Sequence, residues 1–304
     1  LATGAKPNRS RIYGQHMKGI LLAGGEGSRL YPMTKTVSKQ LLPVYDKPMV
    51  YYPLSTLISL GISEVLIITT PRDADAFQAL LGDGSALGCQ FQYAVQPEPK
   101  GLAQAFLIGA DFIGNNPVAL ILGDNLFYGS AIQKQSPSFD GFTGGLIFGA
   151  HVNNPKRYGI VTLNQKGEVT AIEEKPETPT SNLAIPGLYF FDHSVVEKAK
   201  QVQPSPRGEL EITEVHSRYL NEGKLTVEVL EPGTAWLDTG TVESLSKAHA
   251  FVEAIQSRQG VLVGSPEIAA FQQGFIDPPQ LKAIAKSYSG SEYGIYLKRW
   301  IDEH

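Results

Sequence analysis

Two cations follow an apolar run closely enough to share one anionic ligand. The chain reads Gly19-Ile20-Leu21-Leu22-Ala23-Gly24-Gly25-Glu26-Gly27-Ser28-Arg29-Leu30, then Ser38-Lys39-Gln40-Leu41-Leu42-Pro43. Small residues after a strand let the backbone approach a phosphate chain, and Arg29 and Lys39 can hold its charge. A dinucleotide fingerprint needs G-x-G-x-x-G, and Leu30 stands at the third glycine, which disfavours a nicotinamide-dependent oxidoreductase. The phosphate-loop pattern G-x-x-x-x-G-K-[ST] is absent. Taken alone, the loop reads as a tight turn with a solvated arginine.

The elements around it place the loop. Lys18–Leu22, Glu64–Thr69, Gln90–Val95 and Val118–Leu122 read as strands. Between them, 47–60, 72–81 and 102–113 carry helical spacing. This alternation predicts an α/β fold: a Rossmann-like mixed, mainly parallel sheet with helices on both faces. Right-handed crossovers put the loops after the strands on one edge, where ligands bind in open sheets. The glycine loop, Gln96 after Val95 and Asp124 after Leu122 therefore converge.

Beyond residue 140 the texture changes. Stretches 144–152, 159–163, 168–172, 184–191 and 225–230 read as strands, with 211–220 a helix. After Gly240 the pattern is helical: 241–256, a segment after Pro266, 280–286 and 292–300. The expected organisation is a core over 17–240, split near 125, with a β-rich insertion in its second half and a helical region over 241–304. Residues 1–16 are polar and read as an expression tag or scar before a start at Met17.

Composition narrows the class. The chain has 304 residues, a formal net charge of −4 and one cysteine, Cys89. The acidic balance argues against a nucleic-acid binder. A lone Cys89 excludes an internal disulfide, fits a cytoplasmic protein and reads as a small buried hydrophobe. No run is long and apolar enough for a membrane span. The six histidines show no metal spacing.

The loop and the Ser38–Pro43 stretch together resemble the sugar-1-phosphate nucleotidylyltransferases, and their glucose-1-phosphate thymidylyltransferase branch in particular. Further segments carry the likeness: Tyr45-Asp46-Lys47-Pro48-Met49, Tyr93-Ala94-Val95-Gln96-Pro97, Gly101-Leu102-Ala103-Gln104-Ala105 and Leu122-Gly123-Asp124-Asn125. So do Arg157-Tyr158-Gly159, Glu173-Glu174-Lys175-Pro176, Gly187-Leu188-Tyr189-Phe190, Arg207–Thr213 and Ala235-Trp236-Leu237-Asp238-Thr239-Gly240. The likeness runs from Met17 almost to the C-terminus.

It implies the nucleotide-diphospho-sugar transferase type of fold, and an enzyme making dTDP-glucose and pyrophosphate from dTTP and glucose 1-phosphate, a first step toward dTDP-rhamnose or related sugars. Joining two polyanions is limited by repulsion and developing charge, so catalysis rests on positioning and cations. The likeness makes Arg29, Lys39, Asp124, Lys175 and Asp238 catalytic, with Asp124 and Asp238 holding Mg2+. It assigns the nucleotide to Leu22, Ala23, Gly24, Gly25, Gly27, Ser28, Arg29, Gln96, Pro99 and Gly101. A glutamine amide offers the donor and acceptor that a thymine edge needs. It assigns the sugar phosphate to Asn125, Tyr158, Gly159, Glu174, Lys175, Ile185 and Trp236. Relatives are homotetramers, and the same is expected here.

The likeness also has gaps. Ser28 replaces a common threonine but keeps the hydroxyl. Pro186 stands where a small polar residue is usual, beside the sugar pocket. Glu231-Pro232-Gly233 replaces a stretch that usually contains arginine, and Pro266-Glu267-Ile268-Ala269-Ala270 departs from P-E-E-I-A. In relatives these last two regions help form a second nucleotide-sugar site, so feedback by dTDP-rhamnose is expected to be altered. The rival readings are a uridylyltransferase or another sugar-1-phosphate nucleotidylyltransferase, and a nucleotide-sugar-binding regulator without turnover.

Overall fold

The structure is a computed structural model that describes residues 16–303; the expected tag falls almost wholly outside it. The strands are β1 (Lys18–Ala23), a short hairpin of β2 (Pro43–Val44) and β3 (Lys47–Pro48), β4 (Glu64–Thr69), β5 (Gln90–Val95), β6 (Val118–Leu122) and β7 (Asn125–Tyr128). There follow β8 (Gly145–His151), β9 (Gly159–Leu163), β10 (Val169–Glu174), β11 (Leu183–Ala184), β12 (Leu188–Phe191), β13 (Leu225–Val229) and β14 (Ala235–Asp238).

One ten-stranded mixed sheet dominates, in the order β10-β9-β11-β8-β12-β6-β1-β4-β5, with β13 also paired to β8. Strands β6, β1, β4 and β5 run parallel, and Leu22 aligns with Leu122, Ala23 with Thr69 and Thr69 with Val95. Their carboxyl ends are thus level, and the loops beginning at Gly24, Thr70, Gln96 and Gly123 open on one edge. The other half, β12 through β10, pairs antiparallel.

Both faces are covered because the inner stretches of β1, β4 and β6 are apolar on both sides. In β1, Leu21 and Ala23 join one core while Ile20 and Leu22 join the other. Val65 and Ile67 of β4 alternate with Leu66 and Ile68 in the same way, as a period of two requires. The first face packs against helix Tyr51–Ser59 and helices Pro266–Gln272, Pro278–Ser287 and Glu292–Glu303. The second packs against Gln104–Ile108, Ala110–Ile113, Val195–Lys200 and Ile212–Asn221. The α/β mixed sheet with helices on both faces is the expected fold. No helix of the described residues is long and apolar enough to cross a membrane. Cys89 is buried, and burial pushes its thiol up to about 12, which suits a packing role.

Several expected elements change in detail. The helix expected from residue 47 starts at Tyr51, because Lys47-Pro48 forms β3 and turns through Tyr45 at φ 59°. The helix expected over 102–113 is interrupted at Gly109, where a Cβ would sit 3.0 Å from Ile20 Cδ1. The strand expected over 184–191 divides into β11 and β12 at Pro186-Gly187, since proline has no N–H for the ladder. β10 runs on to Glu174. The ribbon of β7 with β14 has no counterpart in the sequence reading, and it positions both strand-end aspartates.

Candidate active site

The loop edge of the sheet opens into a cleft of about 350 Å³ that continues into a second chamber of about 160 Å³. Arg29, Asp124, Glu174 and Lys175 line both chambers. In the first chamber, Leu22, Gly24, Gly25, Lys39, Gln96, Pro99 and Gly101 also form the wall. Gly25 has φ 92° and no neighbour on its Cβ side, so its backbone is bare to a ligand. Ala23, Gly27 and Ser28 do not reach the wall. Ala23 is core, and Gly27 holds the left-handed conformation that starts the turn Ser28–Leu30. Thr34 locks that turn by donating its hydroxyl to the Gly27 carbonyl at 2.7 Å.

Arg29 and Lys39 each sit on a short 3-10 turn. The Arg29 guanidinium lies against Gly240, where a Cβ would meet Nη2 at 3.0 Å. Gln40, buried beside Lys39, donates its amide to the Gly24 carbonyl at 3.3 Å and accepts from Ser38 Oγ. It therefore ties the Lys39 turn to the glycine loop. Gln96 is 5% exposed. Its Nε2 donates to Gln104 Oε1 at 2.8 Å and to the Gly101 carbonyl at 3.4 Å. Its Oε1 receives no protein hydrogen bond among the described residues and faces Gly24, whose Cβ would sit 2.3 Å away. The donor half of this amide is committed to the protein, and the acceptor half is left for a ligand N–H.

Between the chambers stand the two aspartates. Asp124 follows β6, and its carboxylate pairs with the Lys39 ammonium and accepts from Asn125 Nδ2 at 2.9 Å. Burial opposes its charge, yet Lys39 and these hydrogen bonds outweigh burial and hold the carboxyl below the usual aspartate range. Asp238 ends β14, opposite Asn125 in the ribbon. It accepts from Arg157 Nη2 at 3.2 Å. Burial lifts its carboxyl above the ordinary value; Arg157 pulls the other way, and the neighbouring Asp124 charge adds to the lift. Thr239 fixes the pair by donating both its N–H and its hydroxyl to the Asp124 carbonyl, at 3.1 and 2.9 Å.

Among the described residues no three His, Cys, Asp or Glu side chains gather as an all-protein metal cage would need. Magnesium asks for less: one or two carboxylates, with phosphates and waters completing its shell. Two hard-oxygen donors whose charges repel each other fit that requirement.

The second chamber holds Asn125, Tyr158, Gly159, Ile185, Trp236 and Asp238. Asn125 is buried and fully engaged: Oδ1 accepts from Trp236 Nε1 at 2.6 Å and from the Gly187 N–H at 3.0 Å. It positions this end more than it offers groups to a ligand. The Tyr158 and Trp236 rings meet at 5.1 Å between centroids. Glu174 accepts from Thr213 Oγ1 at 3.3 Å and pairs with Lys175 and Arg207, both at 3.2 Å. Lys175 stands at φ 42°, a left-handed backbone uncommon for a residue with a Cβ, held by its N–H bond to the Tyr158 carbonyl at 3.1 Å. Lys175 thus borders both chambers, with its ammonium beside Glu174.

Residues without an assigned role complete the site. Gln40, Gln104, Arg157, Arg207 and Thr213 orient the expected groups. Each lay inside a quoted motif, but nothing in residue type or spacing distinguished an orienting partner from a solvated one. His216 also lines the second chamber, fully buried, with neither ring nitrogen hydrogen-bonded.

Comparison with known proteins places the chain in a family. A sequence model of the nucleotidyl transferase family matches residues 18–255. The chain is 57% identical over 286 residues to a glucose-1-phosphate thymidylyltransferase of Mycolicibacterium smegmatis, covering 94% of this chain and 99% of that one. A glucose-1-phosphate thymidylyltransferase of Xanthomonas campestris is 54% identical over 281 residues, covering 92% and 95%. Among solved structures, a candidate glucose-1-phosphate thymidylyltransferase from Bacillus anthracis, in complex with a sucrose, superposes with TM-score 0.72 at 39% identity, over 77% of this chain and 94% of that one. A UDP-glucose pyrophosphorylase bound to UDP-glucose shares the fold at TM-score 0.69 and 24% identity, over 80% and 100%.

Proposed function

This chain belongs to the nucleotidyl transferase family, among the glucose-1-phosphate thymidylyltransferases, and we propose from that premise how its cleft works. The enzyme transfers a thymidylyl group from dTTP to α-D-glucose 1-phosphate. An oxygen of the sugar phosphate forms a bond to the α-phosphorus, the bond between the α-phosphorus and its bridging oxygen breaks, and pyrophosphate leaves. The observation supporting this most strongly is the likeness to thymidylyltransferases over nearly the whole chain, together with a two-chamber cleft in which Arg29, Asp124, Glu174 and Lys175 border both ends.

Each chain residue then has a task. Gln96 Oε1 accepts the thymine N3–H, and Pro99 and Gly101 flank the base. The bare backbone of Gly25, beside Gly24 and Leu22, lets the triphosphate lie close, and Arg29 and Lys39 draw charge toward the departing pyrophosphate. Lys39 leaves its contact with Asp124 to do so. Lys175 holds the sugar phosphate in line with the α-phosphorus, and preorganisation of this kind lowers the barrier without a protein nucleophile. Glu174, Tyr158 and Gly159 receive the sugar hydroxyls, with Ile185 and Trp236 as apolar walls. Mg2+ held by Asp124 and Asp238 would screen the phosphate charge and orient the α-phosphate oxygens.

The enzyme works as a cytoplasmic homotetramer. Residues 231–234 form a tight turn with Gly233 at φ 94°, and Pro232 supplies no cation there. Feedback by dTDP-rhamnose is accordingly weak, and Pro232→Arg strengthens it; inhibition that is unchanged by that substitution would remove this part of the reading. The activity itself is tested by pyrophosphate release over a matrix of nucleoside triphosphates and sugar 1-phosphates, with and without Mg2+. The highest rate is expected for dTTP with glucose 1-phosphate and Mg2+. A higher rate with UTP would make the enzyme a uridylyltransferase, and no turnover in any well would leave a binding protein.

A further inference from the structure

Tyr45-Asp46-Lys47-Pro48-Met49 lines neither chamber of the cleft, yet it contains a buried ammonium. Lys47 is 3% exposed. Its Nζ pairs with Asp46 and donates to Gln256 Oε1 at 3.2 Å and to the Val263 carbonyl at 3.0 Å. It also lies over the rings of Tyr52 and Tyr293, at 4.8 and 5.3 Å from their centroids. Gln256 closes the knot by donating Nε2 to Asp46 Oδ2 at 2.9 Å and accepting from the Val263 N–H at 3.0 Å. Gln256 belongs to helix Val242–Gln259, so the knot joins the C-terminal helices to the β2–β3 hairpin.

A buried ion pair is weak evidence for stability, because hydrophobic residues of similar volume often serve as well. What this pair does fix is position. The hairpin follows the Lys39 turn directly. Residues just past the hairpin reach back to that turn: the Val50 N–H bonds the Gln40 carbonyl and the Met49 N–H bonds the Leu42 carbonyl, both at 2.9 Å. Thr239 Oγ1, which donates to the Asp124 carbonyl, also lies 3.0 Å from Met49 Sδ. One short chain of contacts therefore runs from Gln256 through Asp46-Lys47 to the Lys39 turn and on to Asp124.

We propose that Lys47 and Gln256 are positioning residues for the nucleotide: through the β2–β3 hairpin they hold Lys39 where it meets the triphosphate. This rests on the thymidylyltransferase reading above, and it predicts damage at the nucleotide end only. In Gln256→Met, which keeps length and removes only the Gln256 bonds to Lys47, Asp46 and Val263, the KM for dTTP should rise about fivefold, while the KM for glucose 1-phosphate changes less than about twofold.

The deciding experiment is a double-mutant cycle on dTTP affinity, measured by calorimetry in wild type, Gln256→Met, Lys39→Met and the pair. Acting through Lys39, Gln256→Met should weaken dTTP binding alone and add nothing in the Lys39→Met background. Two results would overturn the proposal: an equal loss in both backgrounds, or a lowered unfolding temperature with dTTP affinity unchanged. Lys47→Arg, which keeps the buried charge, should bind dTTP more tightly than Lys47→Met, and equal affinities would also count against it. Wild type in the same assay keeps the two readings apart: no dTTP binding there refutes the function and not the positioning.

Discussion

At the scale of single residues, the site is a set of charges whose neighbours prepare them. Asp124 and Asp238 are held apart from water and near each other, one eased by Lys39 and the other by Arg157. Asp124→Asn or Asp238→Asn should cut turnover about 10²–10³-fold, the scale on which a single electrostatic contact matters in a transition state, while circular dichroism stays native. Near-wild-type turnover in either variant would refute the metal assignment. Gln96 makes a sharper claim. Gly24→Ala would drive a methyl into Gln96 Oε1 at 2.3 Å, so the KM for dTTP should rise while the KM for glucose 1-phosphate holds, as steady-state kinetics would show. These residues stand out in the sequence through the resemblance of their motifs, since the glycine loop taken alone reads as a tight turn with a solvated arginine. Their partners do not: that Gln104 occupies the donor half of Gln96, or that Asn125 is spent on Trp236 and Gly187, depends on contacts across long stretches of chain.

At the scale of elements, the parallel strands match the sequence expectation almost residue for residue, since β4 and β6 are short β-branched or apolar runs and β5 alternates polar with apolar residues before Val95. Errors gathered where a tertiary contact overrides local pattern. Lys47 opens a segment with helical spacing, but its buried ammonium needs Asp46 and Gln256 and so makes a hairpin. The β7–β14 ribbon unites strands more than 100 residues apart, which no local period reveals. Its C-terminal edge depends on helix Val242–Gln259, which begins three residues after Thr239. Thr241 caps that helix reciprocally, accepting from the Ser244 N–H at 3.2 Å while Ser244 Oγ accepts from the Thr241 N–H at 3.0 Å. Thr241→Ala should cost about 1 kcal/mol in urea unfolding, the usual worth of such a cap. An unchanged midpoint would mean that this helix start is fixed by packing alone.

At the scale of the whole molecule, two cores clasp one sheet, and His216 lies in the second of them between Tyr189 and Phe191. Burial pushes its imidazole from 6.5 down to about 3, so the native protein resists protonation that the unfolded chain accepts. Its contribution is fully present above pH 6.5 and is lost progressively as pH falls toward 3. His216→Phe should therefore flatten the fall in unfolding free energy between pH 7 and pH 4, and identical slopes would contradict the burial argument. Assembly belongs to this scale too: sedimentation should give a tetramer, and a monomer would remove that proposal. The central claim concerns a reaction and is tested most directly by following dTTP and glucose 1-phosphate with Mg2+ by phosphorus NMR. The account predicts that the triphosphate resonances give way to those of dTDP-glucose and pyrophosphate in equal amounts. Release of inorganic phosphate, or an unchanged spectrum beside active turnover of UTP, would contradict it.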